Sequence, residues 1–279
     1  MITVGHLDDQ MSYLIDEHLD AIRGRLSRRT LRARRETLQR LHDVLPMGLA
    51  YAATEQIEAW LGQPGWSRAT RSAYYSHVRK FYKWATERGD LDGDPSAMIM
   101  RPKHPRGVAN PVTDEELAQA LLAREPIRTA VLLAAYEGMR VSEAAAAHRE
   151  HITRDIVLIP EAKGGDPQTV PTHPFVWEQL KDRPPGPLLL SLAGLEMSGD
   201  NLSAKVSAYF KRNGLPGVRM HRFRHWYGTT IQALYGDARV TQECLRHASL
   251  ASTQIYTLVT DTRRRSAVAS LPVVGTPAS

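Results

Sequence analysis

Between residues 102 and 111 this chain can continue neither a helix nor a central strand. Pro102, Lys103, His104, Pro105, Arg106, Gly107 and Pro111 fall in that short stretch. Proline fixes φ and lacks a donor N–H, and glycine next to it adds freedom, so the segment reads as an extended linker. It divides the 279 residues into a domain over 1–101 and a second over 112–279. Two domains are what a chain of this length leads one to expect.

The first domain reads as helices with short connections. Met11, Leu14, Ile15, Leu19 and Ile22 share one face of a helix over Asp8–Arg23. Leu31, Leu38, Leu41 and Leu45 form a stripe on a second, over Ser27–Leu45. Thr54–Leu61 is a short third helix, and a fourth starts at Ser67 with Tyr74, Val78, Phe81 and Ala85 inward. These spacings of three and four are the helical period. Around the stripes run Arg28, Arg32, Arg35, Arg68, Arg71 and Lys80, which are candidate contacts to DNA phosphates. Solvated surface is the other reading of the same charges.

The second domain opens with a capping box, Thr113 with Glu116, ahead of an apolar helical run. Further helices are expected over Ile127–Glu137 and Val141–His148. Ile156–Ile159 makes a strand that returns at Thr169–Val170, a hairpin tipped by Lys163, Gly164 and Gly165. From about Asn201 the chain is helical again, and it ends in a tail over 261–279. The expected fold is mainly α with one small antiparallel β-sheet in the second domain.

Composition narrows the function. The net charge is +6, with 29 arginines against seven lysines. That balance leans toward a polyanionic partner, although an arginine-rich coding sequence would produce it too. No uncharged apolar run approaches the roughly 20 residues that span a bilayer. The N-terminal residues carry no signal-peptide pattern, and a lone cysteine, Cys244, forms no internal disulfide, so a cytoplasmic setting is expected. No glycine is followed by lysine, which removes a Walker-type phosphate loop. His221 and His225 are four apart but lack an intervening carboxylate, so no metal is expected. Cys244 and Tyr227 read as packing residues.

What remains is a basic constellation in a particular order: Gly138-Met139-Arg140-Val141-Ser142-Glu143, then Lys163, then His221-Arg222-Phe223-Arg224-His225, then Leu245-Arg246-His247, and last Tyr256. A nucleophile attacking a phosphodiester raises the charge on its non-bridging oxygens. Forked guanidiniums in a dry pocket stabilise that charge by several kcal/mol. A tyrosine hydroxyl, with a pKa of about 10, needs nearby cations and a proton acceptor before it can attack.

This arrangement resembles the tyrosine recombinases, the phage integrase and Xer-like family. Its pattern is an Arg in a GxRxSE segment, a hairpin Lys, HxxRH, a (G)H and a terminal Tyr. The resemblance covers nearly the whole chain. The first domain, with its closing Gly89-Asp90-Leu91 and Asp94-Pro95, looks like the family's helical core-binding domain, and the second like its catalytic domain. It implies that Tyr256 is the nucleophile, forming a 3′-phosphotyrosyl link and releasing a 5′-hydroxyl. Arg140 and Arg224 would bind the phosphate, and Lys163 would protonate the leaving oxygen. His221 would assist proton transfer, His247 would bond a non-bridging oxygen, and Glu143 would steady the site. No cofactor and no metal are implied.

The implied partners are double-stranded DNA attachment sites, held by a homotetramer on two duplexes. A host DNA-bending protein and a directionality factor are further partners of such enzymes. The tail over 261–279 would pass between protomers; a frayed end or a protease address are its other readings. The chain starts almost directly with the core-binding domain, so compact attachment sites are expected. Three residues depart from the pattern. Arg246 stands where glycine is usual before the histidine, Phe223 replaces leucine, and Leu258 replaces a histidine many members carry. The reading is a phage or mobile-element integrase. A Xer-type chromosome or plasmid dimer resolvase is the nearest alternative, with a type IB topoisomerase and a catalytically silent DNA-binding regulator behind it.

Overall fold

The computed structural model describes residues 4–103, 108–160 and 166–246, with side chains from Tyr13 onward. The chain divides into two compact units, Met1–Pro105 and Arg106–Ser279. The first holds α1 (Val4–Ala21), α2 (Arg28–Val44), α3 (Thr54–Leu61) and α4 (Arg68–Arg88). Serines start the two basic helices: Ser27 Oγ accepts from the Thr30 amide at 3.3 Å, and Ser67 Oγ from the Thr70 amide at 3.0 Å. Each hydroxyl satisfies one of the amides a helix start leaves without a partner. Gly89, at φ +83°, closes α4 in the left-handed region. Ile15, Leu19, Leu38, Leu41, Leu49, Ile57, Phe81 and Tyr82 are buried together.

Helix α1 begins earlier than its apolar spacing alone gives, and it stops at Ala21, with Arg23–Arg25 forming a single tighter turn. More telling is Arg34. It lies in the arginine run of α2, yet it is buried, with its guanidinium 3.5 Å from His18 Nε2. Its number places it on the stripe of Leu31, Leu38 and Leu41, so position outweighs residue type.

The second unit is built around α6 (Ile127–Tyr136), a helix buried along nearly its whole length. Packed on or near it are α5 (Asp114–Leu121), α7 (Val141–Ala145), α8 (Pro174–Leu180), α9 (Gly199–Arg212), α10 (Met220–Tyr235) and α11 (Ala238–Cys244). The capping box is present: the Thr113 amide donates to Glu116 Oε2 at 2.9 Å, and the Glu116 amide to Thr113 Oγ1 at 3.1 Å. Arg222 and Trp226 of α10 tie this helix start down, through Glu116 at 2.8 Å and Asp114 at 2.7 Å.

Strands β1 (Ile156–Ile159) and β2 (Gln168–Pro171) pair antiparallel, with Val157 opposite Val170. Val157, Ile159 and Val170 face the core while Ile156 and Leu158 face solvent, the alternation a one-sided sheet requires. The helix expected over Val141–His148 ends at Ala145. His148 instead adopts an extended conformation and bridges to Pro187, and the Leu188 amide donates to the Ala147 carbonyl at 2.9 Å. Pairing with a distant segment outcompetes the last helical turn.

Candidate catalytic site

The site grows from the turn between α6 and α7. Gly138 sits there at φ +58°, and a Cβ on it would lie 2.6 Å from the Tyr227 ring. Only glycine meets both demands. The turn puts Arg140 at the start of α7, where Glu143, one helical turn on, reaches back. Glu143 Oε2 accepts from the Arg140 amide at 2.9 Å, and Oε1 accepts from Arg140 Nη1 at 2.6 Å.

Two other chain segments arrive at the same turn. Arg224, from the first half of α10, is 1% exposed. It donates to the Gly138 carbonyl, and to the Leu245 carbonyl at 2.6 Å. Arg246, just past α11, donates to the carbonyls of Glu137 at 3.3 Å and Gly138 at 3.2 Å, and to Glu143 Oε2 at 2.6 Å. Arg140 Nη2 in turn reaches the Arg246 carbonyl at 3.5 Å. Two guanidiniums, Arg140 and Arg246, therefore share the Glu143 carboxylate, while a third, Arg224, is held at the same turn by backbone carbonyls. The net result is an excess of positive charge at the turn, suited to a phosphodiester.

Arg246 also accounts for the departure noted in the sequence. Its φ is +53°, the sole non-glycine residue at positive φ among the described residues. A glycine is free there, whereas an L-residue is strained by about 1 kcal/mol. Arginine is held in place by a side chain only 3% exposed, paired with a carboxylate only 2% exposed.

His221 stands at the start of α10 with its surface open to solvent. The surrounding protein, then the Arg224 and Arg140 charges, hold its pKa below the usual histidine value. It is neutral at pH 7 and can accept a proton. Its ring meets that of buried His225 at 4.2 Å between centroids. Among the described residues, no three His, Cys, Asp or Glu side chains gather as a metal would require. Phe223 is buried in the core. Tyr227 packs against Gly138, and Cys244 is half-buried beside it.

Of the six residues expected to react, the structure brings Arg140, Arg224 and His221 together, with Glu143 in support. Lys163, His247 and Tyr256 lie outside the described residues, as do Leu258 and the tail over 261–279. Among the six basic residues proposed to touch DNA, Arg28, Arg68 and Lys80 are exposed. Arg32 pairs with Glu36 at 2.9 Å, Arg35 pairs with Asp16, and Arg71 donates to the Gln63 carbonyl at 3.0 Å. Sequence reasoning missed Glu137, which is fully buried with Oε1 accepting from the His173 amide at 2.9 Å. No local pattern marks it, because its burial comes from elements far along the chain. It also missed the Arg246–Glu143 pair, for which the charged residue at a usual glycine position was the available signal.

The family model described as the phage integrase family matches residues 112–263. The tyrosine recombinase XerC of Corynebacterium glutamicum is 28% identical over 268 residues, covering 88% of this chain and 86% of that protein. A lambda integrase dimer bound to a COC′ core site shares the fold, with a TM-score of 0.72 at 18% identity over 88% of this chain and 76% of the other. A lambda integrase tetramer bound to a Holliday junction does so with a TM-score of 0.69 at 19% identity, over 86% of this chain and 77% of the other. Among the described residues no helix is long and apolar enough to cross a membrane. With over half its length matched by the family model, and with the pattern's arginines meeting at one turn, the chain belongs to the phage integrase family of tyrosine recombinases.

Proposed function

We propose that this recombinase is a site-specific integrase of a phage or mobile element, with Tyr256 as its nucleophile. The convergence of Arg140, Arg224 and Glu143 on the Gly138 turn carries the reading. Segments separated by some eighty to a hundred residues meet there, with Arg224 buried and Arg140 partly buried, and concentrate positive charge beside solvent-exposed His221, as an anion site requires. Arg140 and Arg224 hold the scissile phosphate, and neutral His221 takes a proton near the tyrosine. Lys163 protonates the leaving 5′ oxygen, His247 bonds a non-bridging oxygen, and Glu143 positions Arg140. The phosphotyrosyl bond conserves the energy of the broken linkage, so rejoining needs no ATP and no metal.

The first unit, 1–101, clamps the duplex beyond the linker over 102–111, and the catalytic domain over 112–279 cuts it. A homotetramer on two duplexes, aided by a host DNA-bending protein and a directionality factor, completes the assembly in the bacterial cytoplasm. The solved tetramer of lambda integrase on a Holliday junction supports the tetramer in that arrangement. The XerC likeness favours one second reading, a Xer-type resolvase of chromosome or plasmid dimers. The two readings part on whether the natural substrates are two different attachment sites or two copies of one.

A nicked suicide substrate carrying the attachment site traps the covalent intermediate on a denaturing gel. Wild type is expected to give a protein–DNA band that Tyr256→Phe abolishes while gel-shift binding persists. A band that survives in Tyr256→Phe would remove the assigned nucleophile.

A further inference from the structure

We propose that Arg246 is a positioning residue that stops Arg140 from closing a two-pronged pair with Glu143, leaving one edge of the Arg140 fork open for a phosphate oxygen. The inference rests on the recombinase reading above.

Arginine and carboxylate prefer a side-by-side pair in which two N–H groups meet two oxygens. Glu143 does not give Arg140 that pair. Its Oε1 takes Arg140 Nη1 at 2.6 Å, but its Oε2 is already occupied by the Arg140 amide at 2.9 Å and by Arg246 Nη2 at 2.6 Å. Among the described residues, Arg140 Nη2 meets only the Arg246 carbonyl, at 3.5 Å, which is at the outer limit of a hydrogen bond. One negative charge is divided between two guanidiniums, so Arg140 keeps more of its own positive charge for an incoming anion.

Arg246 is held in place for this by its own contacts. Its side chain is 3% exposed, and its two terminal nitrogens are fixed by the Glu137 and Gly138 carbonyls as well as by Glu143. Glycine would make the same left-handed corner without strain but supply no guanidinium. Lysine would supply a charge but not the fork that reaches the carbonyls and the carboxylate together.

The test compares wild type, Arg246→Gly and Arg246→Lys on two suicide duplexes, under single-turnover conditions with saturating protein. One duplex has an ordinary scissile phosphate. The other has a methylphosphonate there, in which a neutral methyl replaces one charged oxygen. On the ordinary phosphate, Arg246→Gly is expected to form the covalent adduct roughly tenfold to a hundredfold more slowly, with Arg246→Lys between it and wild type. Gel-shift affinity for the site stays close to wild type. On the methylphosphonate the deficit shrinks, because Arg140 has less charge to meet. A wild-type rate for Arg246→Gly, or an equal slowing on both duplexes, overturns the proposal. If circular dichroism shows Arg246→Gly unfolded, Arg246→Lys decides by the same comparison. A wild-type protein that forms no adduct on its own attachment site overturns the recombinase reading, and the positioning role with it.

Discussion

At Gly138 a single missing Cβ holds three things together: the left-handed turn, the close approach of Tyr227, and a carbonyl shared by Arg224 and Arg246. Gly138→Ala brings backbone strain and a 2.6 Å collision with an aromatic ring. The expected loss of stability in urea unfolding is about 2–4 kcal/mol, larger than a surface substitution gives. Adding Tyr227→Leu relieves the collision but not the strain, so the double variant is expected to recover part of the loss. If Gly138→Ala unfolds at the wild-type urea concentration, the turn does not depend on glycine. Residues of this kind were legible in the sequence because short-range order exposes them: glycine two before an arginine, glutamate three after it. Glu137 was not legible. Its neighbours, His173 and Arg246, lie far along the chain, and nothing adjacent to it announces a buried carboxyl.

Helices announce themselves by period, and most of these did, with the Thr113–Glu116 box marking one start. Where the reading failed, a longer-range partner had intervened, as when His148 left α7 to pair with Pro187. Period also sorts the arginines of α2: Arg34 falls on the apolar stripe and is buried, whereas Arg28 and Arg32 fall off it and are exposed. That sorting separates the basic residues as DNA ligands. Arg32 and Arg35 already hold carboxylates, while Arg28, Arg68 and Lys80 have no carboxylate partner among the described residues. Arg28→Ala, Arg68→Ala and Lys80→Ala are each expected to flatten the slope of log affinity against log salt by about 1, uniformly across DNA sequences. Arg32→Ala and Arg35→Ala should flatten it less, since releasing a carboxylate offsets part of the lost contact. Equal slopes for all five variants and wild type would place the duplex elsewhere than on α2 and α4.

For the molecule as a whole, both units carry histidines held neutral by burial, but only the second adds a buried carboxyl, Glu137, among the described residues, so the two differ in their response to pH. In the first, burial, reinforced by Arg34, lowers His18 and His77 to about 4, with Lys80 adding to the effect on His77. An unfolded histidine binds a proton below about 6.5, while these do not until about pH 4. The unfolded state therefore binds more protons in that window, and stability is lost as pH falls from 6.5 toward 4. Each group contributes up to about 1.4 kcal/mol per pH unit. In the second unit, burial raises Glu137 to about 8, against the opposing effects of the His173 amide and Arg246. Here the folded state is the one that holds the proton between pH 4.5 and 8, so stability falls as pH rises. Buried His225, lowered to about 4 by burial, then by His221 and Arg224, opposes that trend, as do His173 and His221, mainly below about pH 7. From about pH 7 to 8 the Glu137 effect is the largest among the described residues. Hydrogen exchange read by mass spectrometry, corrected for intrinsic rates, is expected to show α2 and α4 losing protection from pH 6.5 to 5, and α6 losing it from about 7 to 8. Glu137→Gln keeps an acceptor for the His173 amide and removes the titration, so it should flatten the second trend and leave the first untouched. A trend in α6 that persists in Glu137→Gln would assign it to another group.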